Sequence, residues 1–304
     1  MIGPLVVVSL DFELRWGVAD VLGGDFDRYR RNLEGVREAV PALLELFAEL
    51  GVQATWATVA AVACDGWDEL SACAPPPPRY VDRNLVHDLA AYRRADPSGR
   101  LHFAPDLVAL IARTEGQELG SHTFMHAFLR EPGVMQRDVH ADAAAVSSLF
   151  LRRFGRSPGS FVYPRNQIAF RGVLAEHGIR VVRENADAWY WQLTGNRQES
   201  SLIRGMRLLE SVAPIGRRTA PAPAQRASYF TRVNLPEPAF RLHVRRVASD
   251  AASMASGDAL HLWAHPHNFG GDPRRTVARL GDLLRTVRDR RPDARFTPMG
   301  ALAA

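Results

Sequence analysis

The sequence has no lysine, almost no cysteine and no long apolar run, and each absence argues against a class of protein. All 38 basic residues are arginine and most are scattered, in short clusters such as RYRR (28–31) and GRR (216–218), so no nucleic-acid partner is expected. Cys64 and Cys73 lack the CxxC spacing of a zinc site, and no disulfide framework is expected. No stretch of about 18 apolar residues occurs, so no integral membrane segment is predicted.

The N-terminal residues do not have the pattern of a secretion signal. MIGPLVVVSLDFE has no basic region, and its apolar run is too short for a signal core. We therefore expect a cytoplasmic protein. With 304 residues, 46% of them hydrophobic, the chain can bury a full core, and one large domain is the default expectation.

Apolar strands alternate with amphipathic helices along most of the chain. The β-rich, continuously apolar segment 4–10 predicts a strand covered on both faces. Segment 27–50 predicts a helix that Pro41 restarts and Gly51 ends. Such alternation indicates parallel βαβ units, in a barrel or an open sheet. Further strands are predicted at 52–60, 117–122, 159–164, 179–184, 259–266 and 294–299, and further helices at 105–114, 136–154, 169–178 and 274–289.

Two proline-rich stretches interrupt the alternation. Residues 63–104 contain APPPPRY, and residues 192–235 contain RRTAPAPAQR. Neither has clear periodicity, so both are predicted to be surface insertions beside a site, within one domain spanning 1–304.

Polar side chains occur in pairs at the ends of three predicted strands. Residues two apart on a strand point the same way, and a helical turn would place residues four apart on one face. Ligands bind at the carboxyl ends of parallel strands, so the three pairs are expected to form one site. Two imidazoles and one carboxylate are the ligand set of catalytic zinc, and a second carboxylate could act as general base. The pairs are Asp11 and Glu13, His122 and His126, and His265 and His267.

Each pair alone is weak evidence, because two surface histidines or a helix-capping carboxylate would look the same. Together with neighbouring stretches, however, the pairs resemble the five ordered motifs of the polysaccharide deacetylase family (NodB homology, carbohydrate esterase 4). The stretches are SLDFE (9–13), SHTFMH (121–126), FVYPRNQ (161–167), ENADAWYW (184–191) and LWAHPHNF (262–269). The resemblance covers residues 4–298 and implies an α/β fold, a distorted (β/α) barrel of about seven parallel strands.

The resemblance also implies roles for individual residues. It makes Asp11 the base and His265 the general acid, with His267 a second candidate for the acid. It implies one divalent ion, expected to be Zn²⁺, bound by Glu13, His122 and His126. The family more often has two adjacent aspartates where this chain has Asp-Phe-Glu, a pattern that some branches of the family share.

The third motif departs from the family pattern. Val162 occupies the usual place of an arginine, and Arg165 that of an aromatic residue. The backbone N–H of Arg165 could still line an oxyanion position. Either Arg165 or Arg183 could supply the missing guanidinium near Asp11, with Asp187 orienting it, or Arg165 could only contact substrate.

Other residues of the motifs are candidates for contacts with substrate. Asn166 is assigned to substrate binding or orienting. Trp189 and Trp191 could form an apolar wall against a sugar ring, although either could be an ordinary core aromatic. A basic segment around Arg217 and Arg218 could meet a diphosphate, but solvated loop charge is the simpler interpretation. The remaining histidines have no partner pattern and are interpreted as structural or surface residues: His87, His102, His140, His177, His243 and His261.

The sequence thus favours a metal-dependent hydrolase that removes an N-acetyl group from an acetamido sugar. That sugar could be free, nucleotide-linked, lipid-linked or part of a small natural product. Two alternatives remain open: a C–N hydrolase acting on a non-sugar amide or cyclic ureide, and an inactive carbohydrate-binding protein with the same fold.

Overall fold

The computed structural model describes residues 3–22, 25, 27, 29–192, 200–213, 220–221 and 227–303, which fold around a curled sheet. Seven parallel strands follow the order β5-β4-β3-β2-β1-β8-β7. β6 runs antiparallel beside the start of β8, and β9 runs parallel beside the start of β1. The strands are β1 Leu5–Phe12, β2 Ala54–Thr58, β3 Glu118–Ser121, β4 Ser160–Phe161, β5 Val181–Val182, β6 Ala220–Pro221, β7 Tyr229–Phe230, β8 Asp258–Ala264 and β9 Arg295–Thr297.

Helices cover the outside of this sheet, and the predicted distorted barrel of about seven parallel strands is confirmed. The barrel is joined across its open side by a backbone hydrogen bond from Ala227 N–H to the Glu184 carbonyl (2.9 Å). The helices are α1 Ala19–Leu22, α2 Arg30–Glu34, α3 Val36–Glu49, α4 Trp67–Cys73, α5 Leu89–Ala95, α6 Pro105–Arg113, α7 Gln136–Phe154, α8 Arg171–Glu176, α9 Ser201–Val212, α10 Glu237–Ala252 and α11 Pro273–Arg290. Among the described residues, none of these helices is both long enough and apolar enough to cross a membrane.

Period-two alternation along β1 separates the helix-facing side of the sheet from the barrel interior. Val6, Val8, Leu10 and Phe12 belong to the main apolar core with α3, α6 and α11. Val7 points the other way, into a small interior cluster with Ala57, Val162, Val181 and Met299. The remaining inward positions of β1 therefore extend from this apolar base to the carboxyl end: Ser9, Asp11 and, just after the strand, Glu13.

The C-terminal segment closes the base of the barrel. Met299 is fully buried, and its backbone N–H donates to Thr55 Oγ1 at 2.7 Å. The N–H of Gly300 donates to the Glu118 carboxylate at 2.9 Å. The C-terminal segment thus fills the base of the barrel, at the end opposite the carboxyl ends of the strands.

The helix predicted over 27–50 differs from the structure at its break. Pro41 lies inside the continuous helix α3 and does not restart it, and the break comes before Val36, at Gly35. A Cβ on Gly35 would lie 2.0 Å from the Gly270 carbonyl oxygen, so only glycine permits this close approach. The contact fixes the start of α3 against the loop that follows β8.

Two further stretches have more order than expected. Segment 63–104 contains α4 and α5, and Trp67 and His102 pack against the buried ring of Trp16, at centroid distances of 6.4 and 5.1 Å. Segment 192–235 includes α9 and β7 among its described residues.

Helix α10 was not predicted, because its buried face carries the Arg246–Asp250 ion pair (3.0 Å), which interrupts the apolar periodicity.

Candidate functional site

The site lies at the open end of the barrel, above the apolar base. Ser9 Oγ accepts a hydrogen bond from Arg183 (3.1 Å) and bonds with His261 Nε2 (2.8 Å), and the Arg183 guanidinium lies 4.5 Å from the ring centroid of Trp263. This polar layer supports the carboxylates and imidazoles above it. His261 was predicted to be structural or on the surface, and it lies buried inside the barrel.

Glu13, His122 and His126 meet at one point, as the motif resemblance implied for a metal site. Glu13 Oε2 lies 3.3 Å from His122 Nε2 and 3.2 Å from His126 Nε2, and all three residues are buried. With Asp11 they form what we call the floor cluster: Asp11, Glu13, His122 and His126.

A tight turn, and not the helical turn considered from the sequence, brings the two histidines together. Thr123 and His126 both have left-handed backbones, with φ of 62° and 58°, a conformation that costs energy and persists only when its surroundings fix it. Ala127 N–H donates to Thr123 Oγ1 (2.8 Å), and Phe124 N–H donates to the buried Asp142 carboxylate (3.0 Å). The turn is therefore fixed by a hydrogen bond within it and by the Asp142 carboxylate of α7.

The donor set fits a divalent metal ion. His122 Nδ1–H donates to the Val162 carbonyl at 2.8 Å, which leaves the Nε2 lone pair directed at Glu13. Burial lowers the pKa of His126, although the charge of Glu13 opposes this shift, so the neutral imidazole is favoured. Burial opposes ionisation of Glu13, but the nearby imidazoles of His265, His126 and His122 hold its pKa well below its usual range. Neutral imidazoles and an ionised carboxylate are the forms that bind zinc.

Asp11 is held by Arg183 in a two-pronged ion pair. Both guanidinium NH groups lie 2.7 Å from the two carboxylate oxygens, and both residues are buried. Burial works to raise the pKa of Asp11, but the charge and hydrogen bonds of Arg183 bring it below its usual value. Of the two arginines considered from the sequence, Arg183 is the one beside Asp11.

Arg165 and Asp187 both lie away from the Asp11 carboxylate, Arg165 in an ion pair with Asp20 and Asp187 at the surface. The Arg165 guanidinium donates to the carboxylate of Asp20 at 2.6 Å and to the Gly17 carbonyl at 3.4 Å. Asp187 is exposed, and the Arg183 guanidinium contacts Asn166 Oδ1 (3.4 Å) besides Ser9 and Asp11. Asn166 is thus part of the support of Arg183.

The two histidines after β8 differ in their access to the cavity. His265 lines the cavity with its side chain 22% exposed, and its Nε2 lies 3.6 Å from Glu13 Oε1 and 3.9 Å from Asp11 Oδ2. His267 is buried and stacks on the His265 ring at a centroid distance of 4.9 Å. Burial, reinforced by the charge of His265, lowers the pKa of His267 to about 3.

A cavity of about 290 Å³ opens above the floor cluster, near the lower end of the roughly 300–1,000 Å³ range of small-molecule sites. Trp191, Trp263 and Phe230 supply aromatic surface to it. Trp189, predicted as an apolar wall, is 59% exposed and does not line the cavity. Its neighbour Trp191 does, because its Nε1–H donates to buried Glu210 at 2.8 Å and holds the ring inward.

Three arginines of the cavity were not identified from the sequence. We call them the basic wall: Arg204, Arg207 and Arg232. The spacing of three between Arg204 and Arg207 on an amphipathic segment was the available signal. The other basic segment considered, around Arg217 and Arg218, lies outside the described residues.

The two cysteines, Cys64 and Cys73, are free thiols.

Comparison with known proteins confirms the fold that the motif resemblance implied. No family model matches the chain, and no curated protein does. A crystal structure of a putative polysaccharide deacetylase from Mycobacterium smegmatis is similar, with 16% identity and a TM-score of 0.56, over 99% of this chain and 89% of that one. Two further structures also match. One is a Streptococcus mutans CE4 esterase, with 12% identity and a TM-score of 0.47 over 97% of this chain and 85% of that one. The other is a peptidoglycan N-acetylglucosamine deacetylase, with 13% identity and a TM-score of 0.49 over 98% of this chain and 87% of that one.

Proposed function

We propose that the chain is a metal-dependent hydrolase that removes the acetyl group from an acetamido sugar. The observation that carries the proposal is the placing of a guanidinium-held carboxylate, Asp11, beside a Glu-His-His cluster at the floor of a cavity. Glu13, His122 and His126 would hold a divalent ion, expected to be zinc, which as a Lewis acid would polarise the acyl oxygen and lower the pKa of water.

Asp11 acts as the base in this proposal. Its lowered pKa keeps it ionised at neutral pH, and the two-pronged contact with Arg183 fixes both oxygens. As the water oxygen bonds to the acyl carbon, Asp11 takes one proton from that water. The backbone N–H of Arg165, a residue that lines the cavity with a left-handed backbone (φ 53°), is proposed to donate to the acyl oxygen as negative charge develops there.

His265 acts as the acid. When the C–N bond breaks, the nitrogen needs a proton, because a free amide anion is a very poor leaving group. His265 Nδ1–H donates to Asn268 Oδ1 at 3.2 Å, which turns Nε2 toward the cavity and the floor cluster. His267 is buried behind it, so access to the cavity favours His265 for this role. The products are acetate and the free amine.

The aromatic lining suits a sugar. Trp191, Trp263 and Phe230 present apolar ring surface opposite the polar floor, which matches the apolar face of a pyranose ring or an acetyl methyl group. A volume of about 290 Å³ favours a small saccharide over a long chain bound along its length.

The test measures acetate release together with bound metal. Purified protein should hold about one divalent ion per chain, and chelation should abolish acetate release from an N-acetylated sugar until the ion is restored. His122→Ala and His126→Ala should each lose the ion. His140→Ala is the matched control, because His140 belongs to a separate histidine pair between α7 and α8 and should keep full occupancy.

Three results would contradict the proposal. Full metal occupancy in both cluster variants would show that the site is wrongly placed. Turnover of a cyclic ureide or non-sugar amide without acetate release would favour the alternative C–N hydrolase. Stoichiometric metal with no turnover would favour an inactive carbohydrate-binding protein.

A further inference from the structure

The basic wall faces the same cavity as the reacting groups but comes from a different part of the chain. Arg204 and Arg207 lie three residues apart on α9 and so share one face of that helix. Arg232 lies two residues after Phe230 of β7, and both line the cavity, as the alternation of an extended chain requires. Two separate elements thus direct guanidinium groups at one space.

Side-chain contacts hold these two elements in a fixed relation. His243 Nδ1–H donates to the carbonyl of Ser211 in the last turn of α9 at 2.8 Å. The other ring nitrogen of His243 accepts from the backbone N–H of Arg232 at 3.4 Å. His243 therefore joins α9 to the strand segment, and the wall exists before any ligand binds.

Arg207 is also held in place by its own contacts. Its guanidinium lies 4.4 Å from the ring centroid of Trp191, and its Nε–H donates to the Tyr190 carbonyl at 3.0 Å. The stacking fixes the plane of the guanidinium, and Arg207 lines the cavity. Such a fixed planar group suits an oxyanion better than a mobile lysine would.

The charges of the cavity are not balanced within the described part of the chain. Arg183 is paired with Asp11 and Arg165 with Asp20, whereas neither Arg204 nor Arg232 forms an ion pair with a described residue. The Arg232 Nε–H is buried and has no hydrogen-bond partner among those residues. A partly buried cation that forms no ion pair is costly, and an anionic ligand would offset that cost.

The ionisation of Arg232 supports this interpretation. Burial lowers the pKa of Arg232 to about 10, and repulsion from Arg207 adds to the lowering, while Glu210 opposes it. Arg232 is still a cation at neutral pH. Arg207 and Arg232 therefore repel each other, and both line the cavity that a ligand would fill.

We propose that the basic wall binds a phosphate group on the sugar, so that the substrate is a phosphorylated or phosphate-linked acetamido sugar. The proposal rests on the deacetylase function proposed above and specifies its substrate class. Phosphate is favoured over carboxylate because it offers more acceptor oxygens and up to two negative charges to the guanidinium groups. The sugar ring would then lie between the wall and the floor cluster, against Trp191 and Trp263.

The test is calorimetric binding of deacetylated probes to the metal-loaded protein, which requires no turnover. Glucosamine 1-phosphate should bind at least about 10-fold more tightly than glucosamine, and the difference should shrink as salt rises. UDP-glucosamine is the second probe. Preference for either phosphate-bearing probe over glucosamine supports the proposal, and the tighter of the two tells whether the phosphate is terminal or part of a diphosphate link.

Substitutions then assign the phosphate to the wall. Arg232→Met should weaken the binding of glucosamine 1-phosphate by about 10- to 100-fold, which is the contribution of a charge-assisted hydrogen bond, and leave the binding of glucosamine unchanged. Arg232→Lys should lose less of the affinity for the phosphate. Arg245→Met is the matched control, because Arg245 is exposed on α10 and does not line the cavity. Equal affinity for glucosamine and its phosphate, or equal weakening of both by Arg232→Met, would overturn the proposal.

The two proposals fail in different ways. Loss of phosphate selectivity with intact acetate release would leave the deacetylase function standing and remove only the substrate class. Selective phosphate binding that depends on Arg232, with no acetate release from any N-acetylated sugar, would remove the deacetylase function and leave the wall as a phosphate site.

Discussion

The floor cluster and the basic wall border one cavity but are built in different ways. Asp11 and Glu13 are at most 3% exposed and come from consecutive inward positions at the end of one central strand. The wall comes from a short helix and an edge strand, and Arg204 is exposed. The central strands have neighbours on both sides and can hold buried charges in fixed geometry, whereas the edge can vary without disturbing the core.

This difference predicts two kinds of kinetic effect. Changes in the floor cluster should lower kcat, because its groups would act on the atoms that react. Changes in the wall should raise KM and leave kcat nearly unchanged, because its groups would hold a remote part of the substrate.

The largest expected effect separates the two carboxylates of the floor. Asp11→Asn should keep the metal and lower acetate release by on the order of 100- to 10,000-fold, as expected when a general base is lost. Asparagine can still accept one hydrogen bond from Arg183, which limits the structural damage. Glu13→Ala should lose metal and activity together. Metal analysis and acetate release on the same samples make the comparison, and the reverse pattern would exchange the two roles.

The next effect compares the stacked histidines after β8. His265→Ala should lower amide cleavage by about 100-fold with metal content near normal, since it would remove the group that protonates the leaving nitrogen. An acetyl ester should be affected less, because an alkoxide leaves more easily than an amide anion. His267→Ala should have the smaller effect on turnover. If His267→Ala abolishes amide cleavage while His265→Ala is nearly silent, the acid is His267.

The smallest effect is on stability and concerns the support of the floor. Burial raises the pKa of Asp142 to about 7, although the hydrogen bond from Phe124 N–H opposes the shift. The unfolded value is about 3.9, so the folded chain binds the extra proton between about pH 4 and pH 7. The stability that this proton contributes is complete below about pH 4 and is lost as the pH rises through 7.

The ionisation of Asp142 should therefore lower the free energy of unfolding by at most about 1.4 kcal/mol per pH unit as the pH rises from 4 to 7. Asp142→Asn should abolish this contribution. Urea unfolding of the unsubstituted protein and of Asp142→Asn at pH 5 and pH 7 measures the pH dependence of each. Subtracting one dependence from the other cancels the contributions of other carboxylates. Equal slopes would show that Asp142 ionises normally in the folded protein.

Much of the floor could be predicted from the sequence because the two residues of each of its pairs are close along the chain. Asp11 and Glu13 obey the alternation of one strand, and His122 and His126 lie in one turn. What the spacing did not show was the form of that turn. The left-handed Thr123 and His126 depend on a hydrogen bond within the turn and on the Asp142 carboxylate of α7, which accepts from a backbone N–H of the turn.

The same reason explains the errors. Trp189 and Trp191 are indistinguishable by pattern, and the direction each ring takes depends on the bond from Trp191 to Glu210, 19 residues away. Helix α10 was missed because buried polar residues, such as the Arg246–Asp250 pair, replace apolar ones on its inner face.

The sequence by itself determined the alternation of strands and helices and the polar pairs at the strand ends, because these follow from local periodicity, while the barrel was implied only by the motif resemblance. Only the tertiary structure decided that Arg183 and not Arg165 pairs with Asp11, and that His243 joins the wall across α9 and β7. Those contacts join residues as far as 172 positions apart. No local pattern encodes such a distance, since it is set by how the whole sheet curls.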